Sequence, residues 1–199
     1  MNRFLIAMVI AMALPAIPAE AQLVKGGGGI SWGSGIYFRQ EDHTYLDISH
    51  KSANPALTLK GIYRITLPLQ ISPSVTLFMP RVTDHGYARQ TMSAFLFDVN
   101  AHYVVNSLDR FEFYGLGGVN LSALRMRWRY DHSEEGSSDI SSESKAGINL
   151  GAGTYMQVTP QIDLFGEMRY IVSRRNQLFL TAGVLLNIDW LKRHETPGI

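Results

Sequence analysis

LTLKGIYRITL, residues 57–67, decides what kind of chain this is. Leu57, Leu59, Gly61, Tyr63, Ile65 and Leu67 take alternate positions, with Thr58, Lys60, Ile62, Arg64 and Thr66 between them. Successive side chains of a strand point to opposite faces, so the stretch has one apolar face and one that carries charge. Wound into a helix, the same residues would scatter around the cylinder.

The same period recurs on both sides of it. Phe95, Phe97, Val99, Ala101 and Tyr103 alternate with Leu96, Asp98, Asn100 and His102. Residues 111–123 set Phe111, Phe113, Gly115, Gly117, Val119, Leu121 and Ala123 against Glu112, Tyr114, Leu116, Gly118, Asn120 and Ser122. Residues 146–158, 163–170 and 178–190 continue the pattern, with Asp163, Glu167, Arg169 and Asp189 on the polar side. Toward the N-terminus, residues 28–39 carry Ile30, Trp32, Ser34, Ile36 and Phe38. Residues 74–84 carry Val75, Leu77 and Met79, and Pro80 marks a strand end or bulge there. The sequence thus predicts eight strands.

Short connections alternate with long ones. PLQISPS, NSLD and TPQ are short and rich in turn residues, whereas DHTYLDISHKSANPA and YDHSEEGSSDISSES are long and polar. Such alternation is expected of an up-and-down barrel with short turns at one end and long loops at the other. Residues 1–21 read as a cleaved secretory signal, with Arg3, an apolar run from Phe4 to Leu14, and Ala19-Glu20-Ala21 at the cut. The barrel is then expected over 22–191, followed by a tail at 192–199.

Composition narrows the function classes. Hydrophobic residues make up 46% and charged residues 18%, with a net charge of +1. The charged share is below the roughly 25% usual in soluble domains. No basic surplus points to nucleic acid. With no cysteine, disulfide scaffolds, thiolate zinc sites and cysteine nucleophiles are excluded. The histidines show no ligand spacing, so neither a metal nor another cofactor is expected. Gly26-Gly27-Gly28-Gly29 lacks the following Lys-Ser/Thr of a phosphate loop, and reads as a flexible lead-in or a strand start where neighbours approach closely.

The wet face decides between two barrels. A soluble periplasmic lipid-binding barrel keeps its apolar face inside; a transmembrane barrel inverts this. Three features favour inversion: an apolar face almost free of charge, a polar face of mixed charges, and aromatic residues near strand ends. A lumen network is expected from Lys60, Arg64, Asp98, Glu112, Glu167, Arg169 and Asp189, because buried charges must pair. Arg125, Arg127 and Arg129 are expected to face outward above the apolar belt, where they would contact lipopolysaccharide phosphates. A bulge would instead turn Met126, Trp128 and Tyr130 outward.

FYGLGGVNLSAL (113–124), KAGINLGAGTYMQVTPQIDLFGEMRYI (145–171) and LFLTAGVLLNIDW (178–190) together resemble the small eight-stranded outer-membrane β-barrel proteins, the OmpA-barrel, OmpX-like and opacity-like group. The resemblance implies an all-β, eight-stranded antiparallel up-and-down transmembrane β-barrel in the bacterial outer membrane. It also implies a structural or surface-interaction role, outer-membrane lipid and lipopolysaccharide as surroundings, and insertion by the outer-membrane assembly machinery. Members usually end on an aromatic residue; here Trp190 takes that place, and nine residues follow it. The competing reading is a lipid A-modifying acyl hydrolase. His50-Lys51-Ser52-Ala53-Asn54 loosely resembles the His-x-Ser-Asn stretch of lipid A deacylases, with Glu41, Asp42 or Asp47 to orient the base. An extra alanine before Asn54 and a loop position depart from that pattern.

Overall fold

The computed structural model describes residues 22–33, 54–84, 88–130, 138–173 and 176–188. They form β1 (Gln22–Gly33), β2 (Asn54–Thr66), β3 (Leu69–Phe78), β4 (Arg81–Asp84), β5 (Ala88–Leu108), β6 (Phe111–Tyr130), β7 (Ser138–Thr159), β8 (Ile162–Val172) and β9 (Gln177–Asn187). β3 and β4 both pair with β5 and are parted only at Met79-Pro80, so the nine segments make eight staves. All neighbours are antiparallel, and β1 pairs with β9 to close the ring. Among the described residues no helix is long and apolar enough to cross a membrane.

The two faces sort as the alternation predicts. Leu57, Leu59, Val119, Leu150 and Leu180 are exposed on the outer wall, while Thr58, Lys60, Asn120, Asn149 and Thr181 are buried inside. Closure works because every backbone donor and acceptor along a strand then finds a partner on the next, with no free edge left. Short turns at Leu67-Pro68, Asp109-Arg110 and Pro160-Gln161 mark one end of the barrel. The longer connections leave from the other end.

Several boundaries differ from the sequence reading. Gly26–Gly29 is neither lead-in nor strand start but lies inside β1, paired on both sides, to Gly61–Thr58 and to Leu186–Gly183. Gly27 and Gly29 face inward, where a Cβ would meet the backbone of Val184 and Ala182 at 2.0 and 2.3 Å. Glycine is required there by close approach of the neighbouring strand. PLQISPS is mostly strand, because only Leu67-Pro68 turns. The serine-rich second half of the long connection before residue 145 belongs to β7, whose residues from Ser138 onward pair with β6. β5, β6 and β7 are therefore about twice as long as β8, β9 and β1, and rise past them on the loop side.

Inside, the barrel is stacked in layers. Toward the loop end lies an apolar layer of Ala56, Phe78, Leu96, Ile171 and Phe179. Toward the turn end lies a second, of Val24, Ile62, Tyr114, Leu116, Tyr155, Phe165 and Leu185. Small residues on one stave make room for large ones on the next. The Tyr114 ring occupies the space a Cβ on Gly153 would need, at 2.4 Å, and Phe179 does the same at Gly33.

Candidate functional site

Between the two apolar layers lies a polar one, and its residues come from every stave. Four hydroxyls bridge β9, β1, β2 and β3 in a row: Thr181 to Ser31 at 2.8 Å, Ser31 to Thr58 at 2.6 Å and Thr58 to Thr76 at 2.8 Å. Across the lumen Asp98, fully buried on β5, gathers a second group. Its Oδ1 accepts from Asn120 Nδ2 at 2.6 Å and Asn149 Nδ2 at 2.9 Å. Asn149 Nδ2 also donates to Asn100 Oδ1 at 2.8 Å. Arg169 Nη1 stands 2.9 Å from Asp98 Oδ2, in ion-pair contact without hydrogen-bond alignment. Its guanidinium also lies 5.6 Å over the Phe179 ring.

Glu167 holds the third group. Its carboxylate accepts from Lys60 Nζ and, at 3.0 Å, from the Tyr114 hydroxyl. His102 stacks on Tyr114 with ring centres 4.4 Å apart, and Tyr114 stacks in turn on Tyr155 at 4.5 Å. His102 Nδ1 is 2.7 Å from the Tyr155 hydroxyl. Buried ions are tolerable only when such partners surround them. Beyond the lower apolar layer, at the turn-end mouth, Lys25 Nζ meets Asp163 at 2.7 Å and Glu112 at 3.7 Å.

Of the seven expected network residues, Lys60, Asp98, Glu167 and Arg169 come together in the polar layer. Glu112 and Arg64 lie lower, at the mouth; Arg64 is exposed because β2 ends two residues later. Asp189 lies outside the described residues. Lys25 and Asp163 carry an ion pair that the sequence reading did not single out. Asp163 had the right parity. Lys25 was hidden by the glycines after it and by a bulge between Leu23 and Lys25, which buries Val24 and Lys25 in succession. Tyr114, Tyr155 and Asn149 also had the right parity, but nothing in their types marked them as hubs.

On the outer wall, Arg125, Arg127 and Arg129 are exposed and share the face of Val119 and Leu121; Met126 is buried. No bulge reverses them, since β6 pairs without a register shift through this stretch. His50, Ser52, Glu41, Asp42 and Asp47 lie outside the described residues, as do the signal at 1–21 and the tail at 192–199. Among the described residues no group of acidic and histidine side chains is arranged to hold a metal.

A family model described as outer membrane protein beta-barrel domain matches residues 4–185. The chain belongs to that family. As an outer-membrane barrel it is similar in fold to several solved structures. A major outer membrane protein from Thermus thermophilus aligns with a TM-score of 0.56 at 12% identity, over 81% of this chain and 98% of that one. Neisserial surface protein A aligns with 0.52 at 18% identity, over 84% and 98%. Ail, the attachment invasion locus protein of Yersinia pestis, aligns with 0.50 at 12% identity, over 83% and 99%. No curated protein matches the chain in sequence.

Membership in the outer-membrane family gives the wall residues their solvent. The soluble lipid-binding alternative needs a wettable outer wall around an apolar cavity; here Leu59, Val119, Leu150 and Leu180 are exposed on the wall, and the inward apolar side chains pack against one another in layers. Val119→Arg, near the middle of the apolar run on β6, is therefore expected to destabilise the barrel in lipid bilayers by about 2–4 kcal/mol. Urea titration of the heat-modifiable gel shift in vesicles measures it; an unchanged midpoint would show that this wall faces water.

Proposed function

We propose that the protein is a sealed structural barrel of the outer membrane, without catalytic activity, that works through its outer surface. The observation carrying this reading is the layered lumen: a polar layer tied across the staves by ion pairs and hydrogen bonds, with apolar side chains above and below it. An eight-stranded barrel has an interior about wide enough for side chains to fill, which supports the absence of a wide pore. Lys60, Asp98, Glu167 and Arg169 then serve as internal ties between staves, while Lys25, Asp163 and Glu112 tie the turn-end mouth. Outer-membrane lipid and lipopolysaccharide surround the barrel. The outer-membrane assembly machinery inserts it, reading a signal that ends at Trp190.

Planar-bilayer recording of the purified protein tests the reading. The expected trace is flat at moderate voltage. Sustained, stepwise conductance of porin size would overturn it.

A further inference from the structure

We propose that Arg89, Arg125, Arg127 and Arg129 form a binding site on the outer wall for the phosphate groups of an outer-leaflet glycolipid of the lipid A class. The inference rests on the outer-membrane reading above and adds a residue from a second strand. Arg89 on β5 lies directly opposite Arg129 on β6; Thr91 lies opposite Arg127, and Ser93 opposite Arg125. With Val82 of β4 these side chains line one open groove of about 490 Å³. It has four guanidinium groups, two hydroxyls and an apolar flank.

Two arguments point to a phosphorylated lipid. The first is charge. Like charges directly opposite on neighbouring strands destabilise a sheet. Among the described residues no carboxylate is in ion-pair contact with these four arginines. Asp84, opposite Arg89 on β4, is the acidic residue nearest in register, and Glu143 pairs with Lys145 on the inward-facing side of β7. A multiply charged anion bridging the groove turns the repulsion into charge-assisted hydrogen bonds, and the guanidinium fork suits phosphate oxygens.

The second argument is height. The apolar run on β6 extends from Phe111 to Ala123. At ~3.4 Å per residue and a tilt of ~40° it rises about 31 Å, slightly more than the ~25 Å apolar band of such barrels. Arg125 therefore stands just beyond the hydrocarbon, and Arg129 about 10 Å higher on the same reckoning. That is headgroup level on the long-loop side, the outward one in such barrels. Arginines at the same height on the turn-end side would face the inner leaflet instead.

The test mixes refolded protein in mild detergent with bis-phosphorylated lipid A and measures, by mass spectrometry, the lipid retained after size exclusion. Wild type is expected to retain it. The combined Arg89→Ser, Arg125→Ser, Arg127→Ser and Arg129→Ser variant is expected to retain at least about tenfold less, and the corresponding lysine variant an intermediate amount. Equal retention by wild type and the serine variant would overturn the site. So would equal retention of dephosphorylated lipid A, or full displacement by millimolar inorganic phosphate, which would mark a free-anion site. Should the fourfold variant fail to fold, Arg127→Ser alone is read in the same way, with about threefold loss expected and no loss overturning the site. Heat-modifiable mobility and membrane fractionation of the wild type are scored separately. Failure there rejects the outer-membrane reading, whereas failure of lipid retention in a correctly inserted barrel rejects only the arginine site.

Discussion

Asp98→Ala is expected to lower barrel stability by about 3–5 kcal/mol, because it leaves the Arg169 guanidinium buried without its counter-ion. Asp98 is fully buried and serves Asn120, Asn149 and Arg169 at once. The Phe179 and Leu96 layer bounds this site on one side and the tyrosine layer on the other, so the environment of the orphaned guanidinium stays apolar. Asp98→Asn keeps an acceptor for the two asparagines but loses the charge and turns an amide NH2 toward Arg169, so its cost should be smaller than that of alanine without vanishing. Equilibrium urea unfolding in vesicles, followed by the shift on boiling, ranks the three proteins. Equal midpoints for wild type and Asp98→Ala would mean that the polar layer contributes nothing to stability.

Gly183→Val should prevent folding outright. Gly183 on β9 faces inward opposite Gly29 on β1. A Cβ there would lie 2.3 Å from the Gly28 carbonyl oxygen, 2.5 Å from the Gly29 Cα and 2.7 Å from a Phe165 ring carbon. Two of these are backbone atoms held by ladder hydrogen bonds, so the clash cannot be relieved by a rotamer change. The expected result is a chain with no boiling-sensitive form. Gly166→Ala is the control: Gly166 faces outward, and a Cβ there meets nothing within 4 Å. Its effect should stay within about 0.5 kcal/mol. A normally folded Gly183→Val barrel would show that β1 and β9 do not approach as closely as described.

The parity of each strand was legible because hydrocarbon on one side and paired ions on the other impose strict alternation. Leu57–Leu67 and Phe111–Ala123 carry it almost without exception. Strand ends were less legible. β7 begins at Ser138, in a segment whose serines and acids read as loop, because its pairing is supplied by Arg125–Arg129 of β6 and not by its own composition. The first half of β3, residues 69–73, read as turn in the same way, because Pro68 and Pro73 bracket it. The missing N–H of Pro73 costs little where the pairing of β3 with β2 is interrupted between Ser74 and Ile71. Of the site, charge type and parity brought out Lys60, Asp98, Glu167 and Arg169. Lys25 escaped because a bulge breaks parity at Val24, and Arg89 because its partners lie across strands and not along one.

All neighbouring staves but one pair are joined in sequence by a single connection. The exception is the seam of β1 with β9, where Ser31 and Thr181 bond across 150 residues of chain. Hairpins can zip one after another at little entropic expense, but this last junction must bring distant termini together. Until it does, the growing sheet is an open scroll with two raw margins. The glycines at 26–29 and 183 leave those margins slim enough to meet, so the slowest event of assembly is expected to be the one that finally makes the scroll a tube.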